Sequence, residues 1–321
     1  MLTRIGLLAT AAAVASTIGG MTAANDDCAG WATNKFDWFG ATPALIKQCL
    51  SARGPGNGLA LYRMALSAFQ DDAEATATRA VLAAGIDPNA APFGLPGGPL
   101  TMWAKSGWYP GFLGRERPPA VDEAVVRALL EAGGDPNAAA SRNYSGARAP
   151  SLLPLLERSR WRPKAVRARD NGRAWSQEWR VLHAAIGSRR AVGSIAAVLE
   201  HGADPDLTVA PGQDWTALHV AAAMGEPDVI RLVLEHGANP HAVTTQRQWS
   251  ALHVLAWNGG GPKAAEAGEL LLAAGIDPAL RDHRRRTAWD IARSRFSDEE
   301  IAAASPATQA VLTRLKAASE N

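Results

Sequence analysis

His183, His219 and His253 follow one another at steps of 36 and 34 residues, each closing a similar quartet: RVLH, TALH and SALH. Imidazoles repeated in register raise zinc chemistry first. Zinc holds each ligand nitrogen at roughly 2.0–2.1 Å, whereas helices packed side by side have axes about 8–10 Å apart. Neighbouring members of such a ladder cannot easily share one ion. His201 and His236 sit where apolar helices should end, and there a partly charged imidazole suits the dipole.

Other chemistries lack their motifs. The chain has no GxSxG elbow, no GxxxxGK[ST] phosphate loop, no dinucleotide loop and no HExxH helix. Glu123, Asp228, Glu266 and Glu269 fall in expected first turns or on exposed faces, where solvation or the helix dipole accounts for them. The reading is therefore of a non-enzyme, with no catalytic residue, no metal and no cofactor. A site grafted into the stretch 141–180 is the enzymatic alternative.

Three groups of residues suit binding instead. RSRWRPKAVRARDNGR, 158–173, has seven basic residues against one acid, Asp170. Arg158, Arg160, Trp161, Arg162, Lys164 and Arg167 are its candidates for docking an acidic protein face, an anionic lipid surface or a polyanion; a solvated loop is the plain alternative. RDHRRR, 281–286, extends the same basic character. GWYPGFLGRERPP, 107–119, offers Trp108, Tyr109 and Phe112, which are either interface anchors or a cover for the protein's own apolar edge. Gln213, Asp214 and Trp215, with Gln246, Arg247 and Trp249, precede two helix starts. Trp215 stands just before the cap Thr216, the position of a hydrophobic staple onto Val220; Trp249 would pair likewise with Val254, and Trp179 with Ala184. The step between repeats would bring the three indoles into one column about 10 Å apart.

The elements that position these groups recur. VLAAGIDPNA, LLEAGGDPNA, VLEHGADPDL, VLEHGANPHA and LLAAGIDPAL place glycines at 85, 133, 202, 237 and 275, at steps of 48, 69, 35 and 38. Each phrase reads as an apolar helix face, a glycine that closes the helix, and a proline that forbids continuation. Thr216-Ala-Leu-His and Ser250-Ala-Leu-His supply caps and small residues for a short, closely packed helix ahead of each phrase. The 69-residue step is nearly twice the base period, so APSLLPLLERS, 149–159, is expected to be the first helix of an eroded repeat, with one long loop as the alternative.

TALHVAAAMGEPDVIRLVLEHGANPHA closely resembles the ankyrin repeat, and SALHVLAWNGG through LLLAAGIDP follows it well. The likeness spans about 36–318, strongest over 181–293, recognisable over 59–140 and absent over 141–180. It implies an all-α solenoid of about six to seven repeats, some degenerate, with capping helices. It also implies that the ladder histidines bond to backbone in the connecting turns, and that the module binds a protein partner without catalysis, through a concave face and the insertion loops.

The expected organisation is a signal peptide at 1–24, an N-terminal cap at 25–58, repeats over 59–293 with insertions at 105–120 and 141–178, and a capping helix at 294–321. Arg4 followed by the apolar run Ile5–Ile18 and small residues to Ala24 reads as the secretory signal, the run being too short to span a bilayer. The mature product is then periplasmic or secreted, without an integral membrane segment; a secreted effector acting on host proteins is the alternative. Cys28 and Cys49, the chain's two cysteines, most simply form one disulfide in an oxidising compartment, with two free thiols as the alternative. With 321 residues, 47% of them hydrophobic and 20% charged, the chain can bury a sizeable core. A net charge of +2 argues against a general nucleic-acid binder, and a monomer is expected.

Overall fold

The computed structural model describes residues 27–32, 36–38, 40–56, 58–65, 70–91, 97–106, 117–139, 179–208, 214–259 and 263–320. The expected signal peptide, the segment 141–178, Trp108, Tyr109, Phe112, Gln213 and the basic run Arg158, Arg160, Trp161, Arg162, Lys164 and Arg167 lie outside them. The described residues form fourteen helices and no named strand: α1 Pro43–Arg53, α2 Leu59–Ala65, α3 Thr76–Ala83, α4 Pro99–Ser106, α5 Pro119–Glu131, α6 Val181–Gly187, α7 Val192–Glu200, α8 Ala217–Met224, α9 Pro227–Glu235, α10 Ala251–Asn258, α11 Ala264–Ala273, α12 Ala288–Arg295, α13 Asp298–Ala302 and α14 Pro306–Ser319. None of them is long and apolar enough to cross a membrane.

Two rows of helices stack. The first-helix row runs α2, α4, α6, α8, α10, α12, and the second-helix row runs α1, α3, α5, α7, α9, α11, α14. Small residues explain the close first row, since Ala184, Ala185, Ala217, Ala221, Ala222 and Ala251 are all buried and let neighbouring backbones approach. Second helices turn an apolar stripe inward, as α9 does with Val229, Ile230 and Val233. Gly237, at φ +86°, ends α9, and the following amide of Ala238 donates back to Val233 O at 3.2 Å. Only a residue without Cβ takes that backbone conformation at little cost.

Each Gly-x-Asp/Asn-Pro phrase then closes a small side-chain turn. Asp87, Asp135, Asp204, Asn239 and Asp277 each accept the amide two residues on, at 2.8–2.9 Å. The residue after proline ties one repeat to the next. Asn89 donates to Gly133 O and accepts from Asp135 N, and Asn137 treats Gly202 O and Asp204 N the same way.

That second Asn bridge spans the doubled step. α4 packs directly on α6 and α5 on α7, so no helix pair stands between them. Ala139 and Arg180 form an antiparallel bridge, and Val181 N donates to Ala138 O at 3.1 Å. The chain leaves the stack and re-enters at one point. Among the described residues the stack is thus continuous from α5 to α7, and the segment expected to hold an eroded repeat lies outside them.

The ends are closed differently. Cys28 and Cys49 are disulfide-bonded with Cα atoms 5.2 Å apart, which ties the N-terminal segment to α1. Trp31, Phe36 and Trp38 pack ring on ring beside it at centroid distances of 4.8–5.8 Å. At the other end the single expected capping helix is two: Ser297 and Glu300 form a capping box that starts α13, and Ser305 caps α14, which packs on α11 and α12.

Charge is handled by pairing on the second-helix row. Arg79 meets Glu131, Arg127 meets Glu200 at 2.7 Å, Arg231 meets Glu266 at 3.3 Å, and Arg314 meets Glu269. Each pair crosses a repeat boundary. These groups are partly exposed, so each pair contributes only about 0–1 kcal/mol.

Candidate functional site

The first helices begin at the hairpin tips, and the histidine ladder fixes that junction. Thr216 N–H and its hydroxyl both approach His219 Nδ1, at 3.3 and 2.9 Å, while His219 Nε2 reaches Trp249 O at 2.9 Å. His253 repeats the arrangement with Ser250 and with Arg286 O at 3.2 Å. A carbonyl only accepts, so Nε2 carries the proton and Nδ1 accepts from the cap. Both ring nitrogens are thus committed to the protein, as the resemblance implies. His183 reaches Trp215 O at 3.0 Å, but Arg180 occupies its cap position and leaves Nδ1 without a hydrogen-bond partner. Burial pushes His183 and His219 down to about 4, against the upward pull of their carbonyl bonds. Further along, Asp290 replaces histidine and accepts from Thr287 N at 2.9 Å. His201 and His236 close α7 and α9 with Nδ1 on the carbonyls of Ala197 and Leu232.

The tryptophans divide by burial. Trp249 is 2% exposed and packs with Val254 and Ile291, the expected staple extended into the next repeat. Its indole N–H donates to Asp282 Oδ2 at 3.1 Å. Burial alone would push the Asp282 carboxyl up, but the Arg286 backbone and guanidinium, with the Trp249 indole, hold it well below the usual carboxylate range. Trp215 is half-buried and packs against the Trp249 cluster of the following repeat. Trp179 is buried in the main core.

A row of cations and rings crosses α10. The Arg247 guanidinium lies over Trp249 at 4.7 Å, Trp249 meets Trp257 at 5.4 Å, and Arg295 lies over Trp257 at 4.2 Å. Of the sequence candidates, Arg247 and Gln246 are exposed at the tip, Asp214 and Trp215 are half-buried side by side, and Trp249 lies beneath Arg247. Trp257 and Arg295 were not singled out from sequence. Their signal was weak: Trp257 follows Trp249 by eight residues, about two helical turns.

A buried polar node, also unmarked in sequence, holds the C-terminal end of the 105–120 insertion. Asp122 accepts Trp103 Nε1 at 2.9 Å and Ser194 Oγ at 3.1 Å, and it pairs with Arg117 at 3.5 Å and Arg190 at 3.8 Å. Arg117 also donates to Met64 O. Burial brings Arg117 down to about 10 against the raising pull of Asp122. The node joins α2, α4, α5 and α7. With the Asp122 carboxylate bonded from neighbouring repeats by Trp103, Ser194, Arg117 and Arg190, its chemistry is structural.

The repeat geometry has a matching family: the model described as ankyrin repeats (3 copies) covers residues 182–282, the stretch from α6 through the hairpin beyond α11. Such repeats indicate a protein–protein interaction module in a family that is typically non-catalytic, and on this match and this all-helical stack residues 182–282 are ankyrin repeats within a helical repeat solenoid.

Proposed function

We propose that the chain is a non-catalytic, exported module that holds a protein partner against the first-helix side and hairpin tips of residues 181–295. The observation that carries this reading is an asymmetry of the two rows. Arginines of the second-helix row are spent on glutamates of the next repeat, whereas Arg247, Arg284 and Arg285 stand exposed at the tips, with Arg247 over a Trp249 ring against which half-buried Trp215 and Trp257 pack. Tryptophan and arginine are the residue types that dominate protein interfaces, and stacked repeats present such a surface on their concave side. Export is supported by the leader-like residues 1–24 and by the Cys28–Cys49 bond, which belongs in an oxidising compartment.

Photo-crosslinking residues placed at Gln246, Arg293 and Arg231 test the surface in cells. Adducts at the first two positions and none at Arg231 are expected; adducts confined to Arg231 overturn the reading. Fractionation with thiol alkylation tests export. The expected outcome is a shortened, oxidised protein in the periplasm, and a full-length reduced protein in the cytoplasm would refute it. Recovery from the culture medium would mark the secreted form.

A further inference from the structure

Resting on that protein-binding reading, we infer that the surface across α10 takes an acidic segment of the partner in extended form, with carboxylates at both ends and an apolar side chain between them. The row Arg247–Trp249–Trp257–Arg295 sets this order, with cations at its ends and, between them, the half-buried Trp257 ring resting against the buried Trp249. Its length, on the order of 15 Å, matches four to five residues of extended chain. Planar guanidiniums laid on indoles are held in place, so little side-chain freedom is lost when a carboxylate arrives.

Charge at the tip is in excess. Arg284 and Arg285 are exposed beside Arg247, and burial together with the charges of Arg284 and Arg286 lowers the Arg247 guanidinium from its ordinary value. The carboxylate among them, Asp282, is taken up by Arg286 and the Trp249 indole. Like charges gathered at one tip repel and cost stability, and an arriving carboxylate relieves that cost. Peptide rather than nucleic acid is favoured by the short reach of the row, by the single half-buried ring at its centre and by a chain net charge of only +2.

The probe is a labelled seven-residue peptide in which pairs of Glu alternate with Leu, titrated into the full mature chain and read by anisotropy and indole fluorescence. Saturable binding that weakens with salt is expected, with about tenfold lower affinity for the double variant Arg247→Ser, Arg284→Ser. Arg231→Ser, on the opposite row, should bind as the parent does. Thermal melts of all three proteins separate loss of binding from loss of fold. Absence of peptide binding, equal binding of a Lys–Leu peptide, or tighter binding of an oligonucleotide of equal charge through the same arginines would each overturn the inference. If adducts still form at Gln246 and Arg293 in cells while the peptide fails to bind, the acidic segment is refuted and the protein-binding surface stands.

Discussion

The indole N–H of Trp249 donates to the carboxylate of Asp282, 33 residues further on, at 3.1 Å, and so fastens the start of one first helix to the hairpin of the next repeat. Asp282 is 3% exposed and also receives the Arg286 guanidinium and the amides of Arg284 and Arg286. Removing the carboxylate leaves a buried indole N–H and a partly buried cation without an acceptor. Asp282→Ala should lower stability by about 3 kcal/mol in urea unfolding, whereas Arg285→Ala, at the exposed tip, should change it by under about 0.5 kcal/mol. Equal effects of the two would deny the fastening role.

The ladder histidines predict a pH dependence with a definite sign. His183 and His219 are held at about 4 in the fold, against about 6.5 in the unfolded chain, so the unfolded state binds protons first as pH falls. Their contribution is fully present above about pH 6.5 and is lost as pH falls toward 4. Each should cost on the order of 3 kcal/mol across that window. The double variant His183→Gln, His219→Gln should be weaker at pH 7 and flatter between pH 6.5 and 4 in the same unfolding assay; an unchanged slope would place the sensitivity elsewhere.

Arg180 occupies the position that Thr216 and Ser250 fill in the next two repeats, and it offers His183 Nδ1 no hydroxyl. Arg180→Thr should supply one. The expected result is a gain of about 1 kcal/mol by restored capping, together with a change in the His183 pKa, which removal of the Arg180 charge raises and the new hydrogen bond to neutral Nδ1 lowers. Loss of the Arg180 bond to Asn137 O, at 3.1 Å, opposes the gain. Imidazole titration by NMR reads the second effect independently of the first.

Because Ala139 pairs with Arg180, residues 140–178 can be replaced by two residues, which with Trp179 close a three-residue hairpin loop. The shortened protein should melt within a few degrees of the parent, since closing a shorter loop changes the chain entropy only modestly. A cooperative transition lost altogether would mean that the segment does hold a repeat required between α5 and α7.

Much of the fold was legible because its causes are local. Gly202 and Gly237 close helices through a backbone conformation that favours glycine, Asp204 and Asn239 close their turns within two residues, and Thr216 with His219 caps within three. Cap, turn and apolar stripe are each written in a few adjacent letters, so the repeats and their period can be read from the chain alone, whereas the structural role of the histidines was implied by the resemblance to the ankyrin repeat. The candidate surface was half legible: Arg247, Trp215 and Trp249 stood out, but not which of the rings lay buried.

Contacts that join distant letters were decided only by the tertiary structure. The 69-residue step suggested another repeat, yet α5 closes directly on α7, because stacking depends on the complementarity of two apolar faces and not on the length of chain between them. Nothing in the sequence marks Asp122, on which Trp103, Ser194, Arg117 and Arg190 converge from three other segments. The row from Arg247 to Arg295 likewise exists only once α10 and α12 lie side by side. Period-specific patterns set each unit, and desolvation and packing between units decided what those units bring together.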